Sequence, residues 1–70
     1  MSKLHSSDYI IKVLKKKGFV FTSQKGSHMK FYKSGRIKLI VIVPANKKEI
    51  PVGTFKSILR QSNLNEKDFR

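Results

Sequence analysis

The chain has 70 residues and no cysteine, which limits it to one small domain over residues 1–70 and excludes disulfides and thiolate metal sites. Sixteen Lys and Arg residues against four acidic residues give a formal net charge of +12, and this excess indicates an anionic partner. No stretch has the pattern of a membrane span, an interfacial helix or a secretory signal, so we expect a cytoplasmic protein without a membrane partner. A basic surface kept only for solubility is the plainer alternative.

The first predicted element is a helix over about residues 7–17. Apolar residues recur there at helical spacing, a serine is available as N-cap, and Asp8 suits the positive end of the helix dipole. Gly18 is suited to the position just past the helix, where left-handed backbone ends the element. We expect residues 1–6 to be frayed and assign no role to His5.

Three strands are predicted after this helix. Strand-forming residues alternate with others over residues 19–24 and 28–33, with a turn at 25–27 between them. A second hairpin turn at Ser34-Gly35 leads to a third strand over residues 36–43. Because that strand is apolar on both faces, we expect it to be the central strand of the sheet.

The faces of the second strand follow from the two-residue period of a strand. Met29 and Phe31 point to one side, where they are suited to the core. His28, Lys30 and Tyr32 then share the side that points away from the core. This arrangement leaves a histidine and a lysine together on an accessible face.

The last third of the chain predicts a loop and a helix. Residues 45–50 form a basic loop, Pro51 suits the first helical position, and a helix runs over about residues 52–61. Asn63 is suited to end it, and a short turn finishing at Phe69 follows. The order indicates an α+β domain whose three-stranded antiparallel sheet has two helices on one face and a free binding surface on the other.

His28 is the candidate catalytic residue, because imidazole is the side chain best suited to proton transfer near neutral pH. The four acidic residues are too scattered for a two-metal centre, and two histidines without cysteine are too few for zinc, so we expect no metal and no cofactor. What remains is acid–base chemistry supported by lysines. RNA is a suitable substrate since its own 2′-OH can attack the adjacent phosphate.

The candidate RNA contacts are cations near His28 and further along the chain. Lys25 and Lys30 flank the histidine and are suited to phosphates, and Tyr32 is a possible platform for a base. The other candidates are Lys33, Arg36, Lys38, Lys47 and Lys48. For each of these residues an ordinary solvated charge or strand residue is the alternative.

Several short segments, in this order along the chain, resemble the HicA toxin family. They are Gly18-Phe19, the run Gln24-Lys25-Gly26-Ser27-His28 with Phe31 after it, Val43-Pro44, and residues 48–54 followed by Ile58-Leu59. The resemblance covers nearly the whole chain. It implies a fold like that of double-stranded-RNA-binding domains and the toxin role in a type II toxin-antitoxin system.

The same resemblance implies an activity, a partner and a catalytic residue. HicA proteins are metal-independent and ribosome-independent mRNA interferases that a HicB antitoxin neutralises, and their motif histidine corresponds to His28. Many relatives carry a second histidine two residues past the Val-Pro pair, where this chain has Asn46.

Two other functions fit the same basicity. A non-catalytic RNA-binding module of this fold would bind RNA in a salt-sensitive way and leave it intact. A structural ribosome-associated protein would also be basic, but it gives no reason for the Gly26-Ser27-His28 motif.

Overall fold

The computed structural model describes residues 4–70, and it places two helices against one face of a three-stranded sheet. The elements are α1 (Ser7–Lys16), β1 (Val20–Lys25), β2 (His28–Lys33), β3 (Leu39–Pro44), α2 (Val52–Ser62) and a C-terminal 3₁₀ helix (Glu66–Phe69). The predicted α+β class and the order of the elements are confirmed. The expectation for residues 1–3 lies outside the described residues.

Both ends of α1 form as predicted. The Ser6 hydroxyl accepts a hydrogen bond from the Tyr9 N–H at 3.1 Å and caps the first turn. Gly18 has φ +99°, which directs the chain back, and the Phe19 N–H donates to the Leu14 carbonyl at 2.9 Å. The chain leaves the helix with Phe19 turned into the core, where it is 2% exposed.

The prediction of a frayed N-terminal segment is wrong for His5. Its ring stacks on Tyr9 with centroids 4.9 Å apart and meets the Phe55 ring edge-on at 5.2 Å. Its carbonyl accepts a hydrogen bond from the Ile50 N–H at 2.8 Å. Most of these partners come from the far half of the chain, so no local pattern could reveal them.

The sheet has the antiparallel order β1-β2-β3, which makes β2 the central strand and corrects the expectation for β3. Pairing of Lys25 with His28 leaves Gly26-Ser27 as a two-residue hairpin turn, with φ +58° at Gly26. The apolar outer face of β3 therefore does not result from burial on both sides. Ile40 on that face is 49% exposed.

The third strand also begins later than predicted, at Leu39 rather than at residue 36. A two-residue turn at Ser34-Gly35 would set Lys38 opposite Phe31 and turn that lysine into the core. The observed register instead pairs Phe31 with Val41, and both are fully buried. Residues 34–38 consequently form a longer connection, and Arg36 and Lys38 lie in it rather than on a strand.

The outer edge of β3 is partly covered. The Ile42 N–H donates to the Gln61 side-chain oxygen of α2 at 2.9 Å. The Pro44 carbonyl accepts a hydrogen bond from the Ser7 hydroxyl at 2.6 Å, and Pro44 itself has no N–H to offer. These contacts leave β3 fewer unpaired backbone groups than an uncovered edge strand would have.

The last two elements close the core. Pro51 is the N-cap of α2 rather than its first helical residue, and Asn63 ends the helix in left-handed backbone with φ 61°, as predicted. Ile58 is fully buried in the core, while Phe55 is half-buried against it. Phe69 of the 3₁₀ helix is also fully buried. Within residues 4–70, neither α-helix has the length and apolar character that crossing a membrane requires.

Candidate functional site

The face of the sheet without helices, here called the open face, carries three cross-strand rows of side chains. From the Gly26-Ser27 turn to the other end they are Lys25, His28 and Pro44; then Ser23, Lys30 and Ile42; then Val20, Tyr32 and Ile40. The row nearest the turn carries a lysine and the imidazole. The row at the other end is apolar apart from a tyrosine hydroxyl.

His28 is exposed at the first position of β2, directly after the hairpin turn. Lys25 lies opposite it on β1, and side chains in such pairs have Cβ atoms about 4.5–5.5 Å apart. Lys30 follows two residues later on the same face, about 7 Å along the strand. The predicted grouping of His28 with these two lysines is therefore present in the fold.

The basic loop after β3 starts at the same end of the sheet. The Ala45 N–H donates to the Ser27 carbonyl at 2.7 Å, which joins the loop to the turn that precedes His28. Asn46 follows with φ 58°, and Lys47 and Lys48 are exposed. This end of the sheet thus combines the histidine with the cations of the loop.

A buried serine fixes that loop. Ser7 is 1% exposed, and its hydroxyl accepts a hydrogen bond from the Lys47 N–H at 2.9 Å while it donates to Pro44. The Ser7 N–H donates in turn to the Lys47 carbonyl at 2.9 Å. This role of Ser7 was not predicted, because a serine at the start of a helix is expected to act only as a cap.

Three of the predicted RNA contacts lie elsewhere. Lys33 is on the helix-covered side, as the two-residue period requires, and its ammonium lies 5.6 Å from the centre of the Phe19 ring. Arg36 and Lys38 lie past the far end of β2, about 17 Å from His28 along the strand. The structure does not bring these three cations together with the histidine.

The apolar end of the open face contains residues that sequence analysis did not assign to a site. Tyr32 is half-buried between Val20, which is 56% exposed, and Ile40. Val20 and Ile40 both occupy outward-facing positions of their strands, so the two-residue period of a strand could have predicted them as part of this surface. They enlarge the candidate surface beyond Tyr32.

Residues 4–70 contain no group of three or more His, Cys, Asp or Glu side chains placed to hold a metal ion. Asp68 lies on the helix side, where it pairs with Lys17 at 3.2 Å. The backbone N–H of Asn65, and then Lys17, hold the pKa of Asp68 below its ordinary value of 3.8.

Fold and site together define a small basic α+β protein with one exposed histidine on an open cationic sheet face. Residues 7–64 match the family model described as HicA toxin of bacterial toxin-antitoxin systems. The chain therefore belongs to the HicA toxin family, as its motifs predicted, and its role is that of the toxin, with an antitoxin as the implied partner. No curated protein matches the chain.

Proposed function

We propose that this toxin is an endoribonuclease that cleaves mRNA without a metal ion and without the ribosome, with His28 as its catalytic residue. The observation that carries the proposal is the exposed imidazole at the end of the open face, opposite Lys25 and two residues before Lys30. Membership of the HicA family supports it, because the family resemblance implies RNA cleavage by the motif histidine.

The reaction uses the nucleophile that RNA carries. The 2′-oxygen attacks the adjacent phosphorus, the bond from phosphorus to the 5′-oxygen breaks, and a 2′,3′-cyclic phosphate forms. One proton leaves the 2′-OH and one is taken up by the departing 5′-oxygen. His28 performs one of these transfers, as base toward the 2′-OH or as acid toward the 5′-oxygen.

The lysines of this end supply the electrostatic part. Lys25 lies opposite His28 and Lys30 two residues after it, which supports a role for both in contacting the phosphate oxygens, on which negative charge grows in the transition state. Lys47 and Lys48 extend the cationic surface from the loop. Tyr32 lies about 13 Å along β2 from His28, where it can stack on a base of the bound strand.

We also propose that a HicB-like antitoxin restrains this activity by covering the open face. Exposed apolar side chains at Val20 and Ile40 offer a protein partner an apolar contact, and the neighbouring lysines favour a partner with negative charge. A partner that covers both the apolar side chains and the lysines of the open face would hide His28 from RNA.

The test of the catalytic role is cleavage of end-labelled RNA by the purified toxin in the presence of EDTA. We expect cyclic or derived 3′-phosphate ends, no cleavage of DNA, and a rate lowered roughly 10²- to 10⁴-fold in His28→Ala. Ser23→Ala, an exposed change on the same face, is the matched control and should keep its activity.

Three outcomes contradict the proposal. Loss of wild-type cleavage in EDTA would indicate a metal-dependent reaction. RNA that is bound tightly but recovered intact at every concentration would identify a non-catalytic RNA-binding module. An unfolded His28→Ala variant, detected by circular dichroism, would show that His28 has a structural role instead.

A further inference from the structure

Much of the positive charge of this chain lies on the side of the molecule away from His28. Six cations lie on α1, at its end or in the C-terminal segment, compared with four around the histidine. They are Lys12, Lys15, Lys16, Lys17, Lys67 and Arg70. The site proposed above does not account for them.

Part of this charge surrounds a defined groove, here called the α1 groove. It has a volume of about 510 Å³ and lies between α1 and the C-terminal segment, with Tyr9, Lys12, Lys16 and Arg70 among its lining residues. A hydrogen bond of 2.8 Å from the Tyr9 hydroxyl to the Phe69 carbonyl joins its two walls. This contact fixes the two walls of the groove relative to each other.

The charge inside the groove is unbalanced. Four cationic side chains line it, and Asp68 is the one acidic side chain among the lining residues. That carboxylate already pairs with Lys17 and accepts a hydrogen bond from the Asn65 N–H at 2.9 Å. Lys12 and Lys16 are one helical turn apart, a spacing at which like charges repel, so a bound anion would relieve their repulsion.

None of the exposed large apolar side chains of the described residues lines the groove, which favours a nucleic acid over a protein as the occupant. The exposed large apolar side chains of the described residues lie elsewhere, at Leu4, Val20, Phe21, Ile37, Ile40 and Val52. Val13, which lines the groove, is only 7% exposed. Protein interfaces have an apolar centre, whereas nucleic-acid interfaces are polar and strongly positive.

We propose that the α1 groove is a second binding site for the phosphate backbone of RNA, separate from the site at His28. The proposal rests on the proposed function in that its anion is the RNA substrate. The molecule measures 35 × 28 × 19 Å, and the helices lie on the side of the sheet opposite His28. A long strand can pass around the edge and occupy both sites, while a short one reaches only the first.

RNA length therefore separates the two sites. At 3.4 Å per stacked nucleotide, about five nucleotides span roughly 17 Å, less than the smallest dimension of the molecule, 19 Å, and about 30 nucleotides span roughly 100 Å. We would measure Kd for both lengths across a range of salt in a His28→Ala background, so that cleavage does not interfere.

The informative variant is the pair Lys12→Ala with Lys16→Ala, and the matched control is Lys15→Ala with Arg60→Ala. Each pair removes two positive charges from exposed helical positions where alanine is well tolerated, but the control residues do not line the groove. The groove pair should bind the long RNA roughly tenfold more weakly at 0.1 M salt, with a log–log salt slope shallower by about 1.4. The short RNA should bind as before.

Each other outcome is decisive. Equal effects of both pairs would show that only net charge matters and would overturn the groove site. Loss of antitoxin affinity with RNA binding unchanged would identify the groove as a protein surface. If the wild type cleaves RNA and the groove pair binds the long RNA normally, only this inference fails. If the wild type neither binds nor cleaves RNA, both the groove site and the proposed function are wrong.

Discussion

The open face and the α1 groove carry positive charge in different surroundings. On the open face, Lys25 and Lys30 lie towards the turn end, and exposed apolar side chains such as Ile40 lie at the other end of the same face. In the groove, Lys12 and Lys16 line the walls together with a half-buried Tyr9, and the large exposed apolar residues lie elsewhere. A partner protein needs the apolar contacts, whereas RNA phosphates need only the charge. The net charge of a chain thus indicates the class of partner, but the neighbours of each cation indicate which partner binds where.

The largest predicted effect is on the affinity of the antitoxin for the apolar row of the open face. Ile40→Asp places a charge in the apolar row and should weaken antitoxin binding roughly 10- to 100-fold, the loss expected for a central apolar contact. Val52→Asp is the control, because Val52 is 54% exposed at the start of α2 and lies off the open face. Titration calorimetry of each variant with the antitoxin measures the difference. Similar losses in both variants would exclude a specific apolar contact.

Occlusion of His28 can be tested in the same complex. Expression of the toxin alone should halt growth, and co-expression of the antitoxin should restore it. In the purified complex, diethyl pyrocarbonate should modify His28 more slowly than in the free toxin, with the packed His5 as an internal reference. Restored growth with a fully reactive His28 would mean that the antitoxin acts without covering the site.

A smaller effect distinguishes two lysines of β2 that point in opposite directions. Lys30→Ala should make the salt slope of RNA binding shallower by about 0.7, the value for one phosphate contact on a single strand. Lys33→Ala should leave the slope unchanged, since Lys33 lies on the helix side near Phe19. Equal changes would show that the two faces of the strand do not differ in RNA contact.

The smallest predicted effect concerns pH and the wall of the α1 groove. Because the pKa of Asp68 is lower in the folded chain than in the unfolded one, its stabilising contribution is present above the unfolded value and is lost as pH falls through the folded value. Asp68→Asn should therefore lower the urea midpoint at pH 7 and make less difference near pH 3. Glu66→Gln in the same 3₁₀ helix is the control. A difference in urea midpoint between Asp68→Asn and the wild type that stays constant with pH would contradict a stabilising ionic contact.

The sequence predicts most of β2 well because Met29 and Phe31 alternate with His28 and Lys30. The two-residue period alone placed Phe31 in the core and His28 outside it, and both positions are confirmed. The same rule failed for β3, whose apolar residues on both faces fit a central strand as well as an edge strand. The register of β3 against β2 buries Val41 opposite Phe31, and it is set by tertiary packing rather than by the local sequence.

Several contacts of the candidate site could not be predicted from local sequence patterns, because they join residues far apart in the chain. The contacts of Ser7 with Pro44 and Lys47 join residues 37 and 40 positions apart, and a serine has many plausible roles. The wall of the α1 groove likewise depends on Tyr9 reaching Phe69, 60 positions away. The catalytic role of His28 and the RNA contacts stay predictions that the experiments above test.

The contact between Gln61 and Ile42 has a consequence for self-association. Residues 39–43 are five consecutive β-branched or leucine residues without charge, the composition that favours aggregation when it lies at a sheet edge. The Gln61 amide occupies an N–H that a second copy of this strand would otherwise pair with. One side chain of α2 thus removes part of the hydrogen-bonding edge that stacking of this strand on a second copy would require.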